Sequence, residues 1–520
     1  MKAPLLAGIG KSKSAEGGAL EEYPENYNAL DDGGADKSCS SDESGNAESS
    51  NEGGTSGVAG ASFNLANGIV GSGIVGLPFA VQESGFILGM LSLFTVAYFT
   101  DYTVRVLVET GRAVGVTSYE KLCERAFGAK GFYFLTGFQV VNSFGACVSY
   151  MVLIAETVPV VFGRWLGPEY GDQTTVTIIA CTFILLPLCL YRDMSHLEKW
   201  SLLSLVNVVA MVAAVIYEFC IEGKSAALYS QSTQELLLDV HPQVAPAIGT
   251  IAFAYGCQQY SFIIFNTLKN PTRKRWNRVS KIAVWSASGA SILMALFGYF
   301  TFGKNIKGNM FDNFSDGNQV ANAARIILSV TMFLTFPLDY FVIRYAAQRL
   351  IQRLGGKPGC SACSCLDASS SSEKGGVRRE SVFTPAITAE NLKGKGRAAD
   401  LSTFQHLWFS VLLWGICLAT AFLALQSGGN AGAFGLVLQL TGGLGSVFIA
   451  FVFPTACYIK LAAEWGDKGK DRFFKDVEGE PAPSILSRST SGARAMAWGV
   501  LVFGAVSGSI SFIQTCTQFK

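Results

Sequence analysis

The chain has 520 residues, half of them hydrophobic and only 15% charged, with 40 Lys and Arg against 39 Asp and Glu. A water-soluble globular protein is excluded, because the charge sits in gaps between long apolar runs. The net charge of +1 says little about partners and does not point to nucleic acid; where Lys and Arg fall among the loops is the informative quantity.

Residues 1–59 are Gly-, Ser- and acid-rich and read as a disordered cytosolic tail without a cleavable signal peptide. Tyr27-Asn28-Ala29-Leu30 within it resembles a tyrosine-based sorting signal. Taking roughly twenty apolar residues as one span, the rest predicts an all-α polytopic membrane protein of about eleven helices. They run near 60–83, 86–109, 131–162, 174–191, 199–220, 244–267, 279–302, 320–346, 404–426, 432–459 and 495–517. Residues 60–347 thus carry helices one to eight, 348–403 form a flexible cytosolic loop, and 404–520 carry helices nine to eleven. The 13 cysteines suggest no disulfide framework. Cys360, Cys363 and Cys365 in the long loop lack a following His or second Cys pair at zinc spacing, which favours surface thiols or S-acylation over a metal. Arg378-Arg379-Glu380-Ser381 fits a phosphorylation pattern.

Loop charge orients the spans. With the N-terminus in the cytosol, one set of loops carries Arg112 to Lys130, Arg192 and Lys199, Lys269 to Lys281, Arg349 to Arg397 and Lys460 to Arg494. The opposite loops hold only Arg164, Lys224, Lys304 and Lys307, the asymmetry of the positive-inside rule. Asn313-Phe314-Ser315 is a glycosylation sequon in a loop assigned to the outer or lumenal side, so Asn313 is the candidate acceptor.

Gly71-Ser72-Gly73-Ile74-Val75-Gly76 matches the dinucleotide pattern G-x-G-x-x-G, but the run from Ala61 to Ala80 is apolar and uncharged, with no polar-backed helix to follow. Each Gly costs about 1 kcal/mol relative to Ala in a helix, so this helix is expected to break inside the membrane. Helix six offers a second interruption at Ala254-Tyr255-Gly256-Cys257-Gln258-Gln259, five spans later. Interrupted helices at matching positions point to two five-helix repeats of opposite orientation, with the binding site between them. Amides at the start of a second half-helix suit a substrate carboxylate, and freed carbonyls suit an ammonium or a desolvated cation. Gly71, Ser72 and Gly73, with Tyr255, Gly256 and Cys257, are therefore the candidate substrate contacts, and Asn142 with Ser143 and Ser149 offers a pocket wall on helix three. Tight packing of small residues is the competing reading of both breaks, and a polar packing face that of helix three.

The residues from Asn64 through Gly71 to Pro78 resemble the first helix of the amino acid/auxin permease family, and most closely its solute carrier family 38 branch of sodium-coupled neutral amino acid transporters. Thr100-Asp101-Tyr102, Leu186-Pro187-Leu188 with Tyr191-Arg192, Phe253-Ala254-Tyr255 with Ser261-Phe262, Pro271-Thr272 with Trp276, and Pro454 to Tyr458 are similar too. The resemblance runs from about Ala61 to Tyr458 and implies eleven helices in a leucine-transporter-like 5+5 inverted repeat with helices one and six broken. It implies that Asn67 and Thr335 hold Na+, and neutral oxygens do suit a monovalent cation that must also leave. Interhelical hydrogen bonding is the alternative for both residues. The chain departs from the family in having no cysteine pair between helices five and six and no C-terminal His, which leaves a loop disulfide and a C-terminal pH sensor without support.

Ionisable groups inside spans are functional candidates. Asp101 precedes Arg105 by four residues and reads first as a pair on one helix face; Asp339 lies deeper in helix eight and suits a gate or coupling route, although Arg344 offers it a local partner. The expected function is secondary active transport of small neutral amino acids by alternating access, coupled to Na+ or H+. One cation moving down 100 mV supplies ~2.3 kcal/mol, roughly fifty-fold accumulation. The rival is a membrane amino acid sensor using the same site with little flux. A channel lacks a charge ring, and an enzyme lacks a constellation, since His196, His241 and His406 stand apart. No cofactor is required; the partners expected are an amino acid and the lipid bilayer, around a monomer, in the plasma membrane or a vacuolar or endolysosomal membrane.

Overall fold

A computed structural model describes residues 56–190, 201–221, 243–354, 403–427, 432–465 and 491–517. Most of the tail 1–59, most of the loop 348–403 with its cysteines and Arg378 to Ser381, Tyr191-Arg192, His196 and His241 lie outside the described residues.

The apolar runs fold as helices whose ends follow local chemistry. The first run gives α1 (Val58–Ile69) and α2 (Gly73–Ser84), bent by 53° at the intervening break. Gly85, at φ 83°, turns the chain into α3 (Phe86–Ala113). α4 (Tyr119–Leu166) opens on Ser118, whose hydroxyl accepts the amide of Lys121, and is interrupted at Gly128, where φ is 68°. Asp172 caps α5 (Gln173–Ala180) by accepting the amide of Thr175. A π turn, Cys181–Leu185, leads on to α6 (Leu186–Leu190); it precedes Pro187, which has no N–H for the ordinary helical bond to Phe183.

α7 (Ser201–Ile221) is followed by α8 (Val244–Ala254) and α9 (Gln258–Thr267), the two halves of helix six. Thr272 caps α10 (Arg273–Phe302) by accepting the amide of Arg275. The remaining helices are α11 (Gln319–Leu354), α12 (Thr403–Ser427), α13 (Gly432–Thr441), α14 (Phe453–Trp465) and α15 (Ser491–Thr517). π turns at Gly442–Ser446 and Phe448–Val452 join α13 to α14. Among the described residues, nine helices are long and apolar enough to cross a bilayer, and the bent pair α1/α2 makes ten. α8 and α9, taken together, are the eleventh segment that the sequence anticipates.

The broken helices form the centre. All of α2 except Gln82 is buried, against α3, α8 and α10, while α8 also meets α15 and the turn at 442–446. The ends of the broken pair are tied together, because the Ser56 amide donates to the Thr267 carbonyl (2.9 Å) and the Lys269 amide to the Ser56 carbonyl (2.8 Å). The most apolar stretch of α4 is 83% buried, that of α12 only 17%, so α4 belongs to the interior and α12 offers Trp408, Leu412 and Leu423 to lipid.

Candidate substrate site

The first break is built from backbone. Val70 leaves the helical region at φ −87°, ψ 68°, with its amide still on the Ala66 carbonyl (2.9 Å), and the Gly71 amide turns to the Ile69 carbonyl (3.0 Å). α2 then restarts at Gly73, whose first amides belong to the orphan donors of a helix N-terminus. Gly73 is required by contact: a Cβ there would lie 2.6 Å from Ala254 Cα, so the two breaks cross where neither backbone can retreat. At Gly71 a Cβ would lie 2.9 Å from the Tyr150 hydroxyl.

The second break is completed by side chains. The Tyr255 and Gly256 amides reach back to the Ile251 and Phe253 carbonyls (both 3.1 Å). The Cys257 amide is taken by Gln258 Oε1 (3.0 Å), and Gln258 Nε2 donates to Thr103 Oγ1 on α3 (3.1 Å). One glutamine therefore both seals the break and anchors it to a neighbouring helix.

Where the breaks meet lies a small cavity of about 30 Å³, room for a few ligand heavy atoms. Its walls are Gly68 to Gly73 without Val70, Phe253, Ala254 and Gly256 from the broken helices, Asn142, Ala146 and Tyr150 from α4, Gln259 and Tyr260 from α9, and Asp339 from α11. Asp339, 7% exposed, is its one carboxylate and no Lys, Arg or His lines it. Tyr150 Oη donates to Asp339 Oδ2 (3.2 Å), Gln259 Nε2 donates to Oδ1 (3.2 Å), and Tyr260 Oη donates to Oδ1 as well. A polar chain feeds this carboxylate: Ser446 Oγ donates to Asn142 Oδ1 (2.6 Å), Asn142 Nδ2 to Gln259 Oε1 (3.5 Å), and Gln259 on to Asp339. Because an ionised carboxylate only accepts, the direction of the whole chain is set from the Asp339 end.

Of the residues that the sequence singles out, Gly71, Ser72, Gly73, Asn142, Gly256 and Asp339 line the cavity together. Ser72 also shares a hydroxyl bond with Ser149 (3.0 Å). Tyr255 and Cys257 do not line it, although both are buried in the second break. Asn67 (6% exposed) and Thr335 (4% exposed) lie buried beside the cavity's helices without lining it, and Thr335 Oγ1 donates to the Thr331 carbonyl (2.8 Å). Arg344 is directed to the Cys189 carbonyl (2.8 Å) and the Ser410 hydroxyl (3.5 Å), while Asp339 takes its hydrogen bonds from α4 and α9. Asp101 is away from the cavity; it pairs with Arg105 and accepts Ser280 Oγ from α10 (2.7 Å). Asn313 fastens its own loop, donating to the Asn305 carbonyl (2.6 Å) and accepting the Lys307 amide (2.9 Å).

The residues that sequence reasoning missed are Tyr150, Gln259 as a ligand to the acid, and Tyr260. A signal existed for the first: Asn142, Ala146 and Tyr150 repeat every four residues and so share one face of α4. Buried acids near span ends were passed over as well. Glu83 accepts Gln439 Nε2 (2.7 Å), Glu109 pairs with Arg273 (2.9 Å) and Glu218 accepts Asn318 Nδ2 (2.8 Å).

Residues 54–477 match the family model described as "Transmembrane amino acid transporter protein", more than half of the chain. The chain belongs to this family. A relative from Danio rerio, named "Putative sodium-coupled neutral amino acid transporter 11", is 30% identical over 424 residues, covering 81% of this chain and 82% of the relative. "Vacuolar amino acid transporter 2" of Saccharomyces cerevisiae is 27% identical over 298 residues, covering 56% of this chain and 61% of the relative. Among solved structures, MhsT in complex with L-phenylalanine superposes with a TM-score of 0.53 at 11% identity, over 88% of this chain and 98% of MhsT. The family member described here therefore has the leucine-transporter-like fold, with interrupted helices at the first and sixth positions. Its setting is the membrane and its class of cargo is amino acids.

Proposed function

We propose that the chain is a secondary active transporter of small neutral amino acids, driven by Na+ or H+ through alternating access. The observation that carries the reading is the cavity at the crossing of the two breaks, lined by glycine backbone on one side and by Asn142, Gln259 and Asp339 on the other. Such a site meets a zwitterion with its own two chemistries, helix-start amides for the carboxylate and acceptors for the ammonium. The limited room favours small side chains. In this reading Gly71, Ser72, Gly73, Asn142 and Gly256 bind substrate, and Asn67 with Thr335 offers neutral oxygens to Na+. Loop charge supports a cytosolic N-terminus, in the plasma membrane or a vacuolar membrane, and a monomer is sufficient because one chain forms the whole cavity.

The test is reconstitution into liposomes with radiolabelled amino acids, imposing a Na+ or an H+ gradient separately. Concentrative uptake of alanine-sized substrates under one gradient is expected. Saturable binding without uptake under either gradient overturns the reading. Asn67→Ala should weaken the Na+ response; an unchanged response removes Asn67 from the mechanism.

A further inference from the structure

We infer that Asp339 is the receptor for the substrate's ammonium group and so the residue by which the cavity tells amino acids from other small carboxylates. The inference rests on the cavity being the substrate site.

Lone-pair accounting gives the first support. An ionised carboxylate accepts about four hydrogen bonds. Gln259 and Tyr260 fill two directions at Oδ1 and Tyr150 fills one at Oδ2, which leaves one direction at Oδ2 for a donor from the cavity. All three protein donors are neutral and no basic side chain lines the cavity, so the acid has hydrogen-bond partners but no counter-charge there. A buried anion that is solvated without being neutralised is prepared for a cation that arrives and departs.

Position gives the second. The Tyr150 hydroxyl lies 2.9 Å from the place of a Gly71 Cβ and 3.2 Å from Asp339 Oδ2. One hydroxyl thus separates the helix break from the acid. The break and Asp339 line one cavity, and the carboxylate and ammonium of an α-amino acid are carried on one carbon, so a single molecule there can face both. The substrate carboxylate takes the amide side and its ammonium the Asp339 side. Once a neutral amino acid is bound, its ammonium offsets Asp339 and its carboxylate leaves one negative charge in the cavity. That surplus gives a physical reason for a coupling cation to bind with the substrate.

The experiment measures liposome uptake and competition by L-alanine, L-leucine and L-phenylalanine against their 2-hydroxy analogues, L-lactate, L-leucic acid and L-phenyllactate, which replace only the ammonium by a hydroxyl. For any amino acid taken up, wild type should prefer it over its analogue by at least about 10-fold, the value of a hydrogen bond to a charged group. Asp339→Asn should reduce that ratio by about 10-fold, whereas Asp339→Glu, which keeps the charge, should retain the preference. If Asp339→Asn does not fold, Asp339→Ser takes its place in the same comparison. An unchanged amino-to-hydroxy ratio in the carboxylate-free variant overturns the assignment. So does loss of H+-driven uptake alone with the ratio intact, which would make Asp339 a proton carrier. Failure of wild type to take up any of the three amino acids instead defeats the substrate reading of the cavity, and this assignment falls with it.

Discussion

The two helix breaks do the same geometric job with different materials. The first, between Ile69 and Gly73, is glycine and bare backbone; the second, at Tyr255 to Cys257, is closed by the Gln258 side chain and hands Gln259 and Tyr260 to the cavity. A break made of backbone can approach a ligand closely but depends on the absence of side chains. A break made with side chains tolerates more but depends on its hydrogen bonds. The difference assigns amides to one wall of the site and a solvated carboxylate to the other.

The sharpest way to break this comparison is to add a side chain at each break. Gly73→Val places atoms against Ala254 Cα, where backbone must move, and should cost about 3 kcal/mol or more, read as loss of the monodisperse, cooperatively melting protein in detergent. Gly256→Ala meets nothing nearer than the Phe253 carbonyl at 3.3 Å and should melt within a few degrees of wild type. Equal effects would abolish the distinction.

Next in size, Gly71→Leu should abolish uptake while surface level is largely retained, because its side chain meets the Tyr150 hydroxyl and fills the cavity. Normal uptake would refute the pocket. Gln258→Ala tests the other break: it strips the acceptor from the buried Cys257 amide and a bond from Thr103, a loss of about 1–3 kcal/mol measurable as a lower melting temperature. No change would show that the second break does not depend on its side-chain seal.

The smallest effect concerns the covering of the first break. The loop turn Met310–Asn313 packs on α2, and burial there pushes the Asp312 carboxyl from 3.8 up to about 6, against the pull of Lys307 and Arg325. The folded loop therefore holds this proton more tightly than the unfolded chain. Its contribution to stability is full below about pH 4 and is lost as pH rises through about 6. Asp312→Asn should flatten that part of a melting-temperature profile, and an unaltered profile would assign the dependence to another group.

Much of this architecture was legible in the chain itself. Long uncharged runs can satisfy their backbone in a bilayer only as helices, so Ala61 to Ala80 and its counterparts declared themselves by composition. The glycine cluster from Gly71 to Gly76 and the single Gly256 marked the interruptions, since helix propensity is a local property. Side-chain direction was another matter. Tyr255 and Cys257 stood in the motif yet do not face the cavity, whereas Gln259 and Tyr260, just beyond it, do. Asp339 was visible as an intramembrane acid, but its nearby partner in the sequence was Arg344, five residues on, and not Tyr150 or Gln259 from 189 and 80 residues away.

What the sequence determined by itself is the membrane setting, the order of the helices and the places where two of them must break, because these follow from transfer energy and local propensity along the chain. What only the tertiary structure decided is that both breaks cross at Gly73 and Ala254, and that the crossing encloses a single acid solvated by three neutral donors. Contacts between residues far apart in the chain depend on how helices pack, and no periodicity within one helix encodes its neighbour.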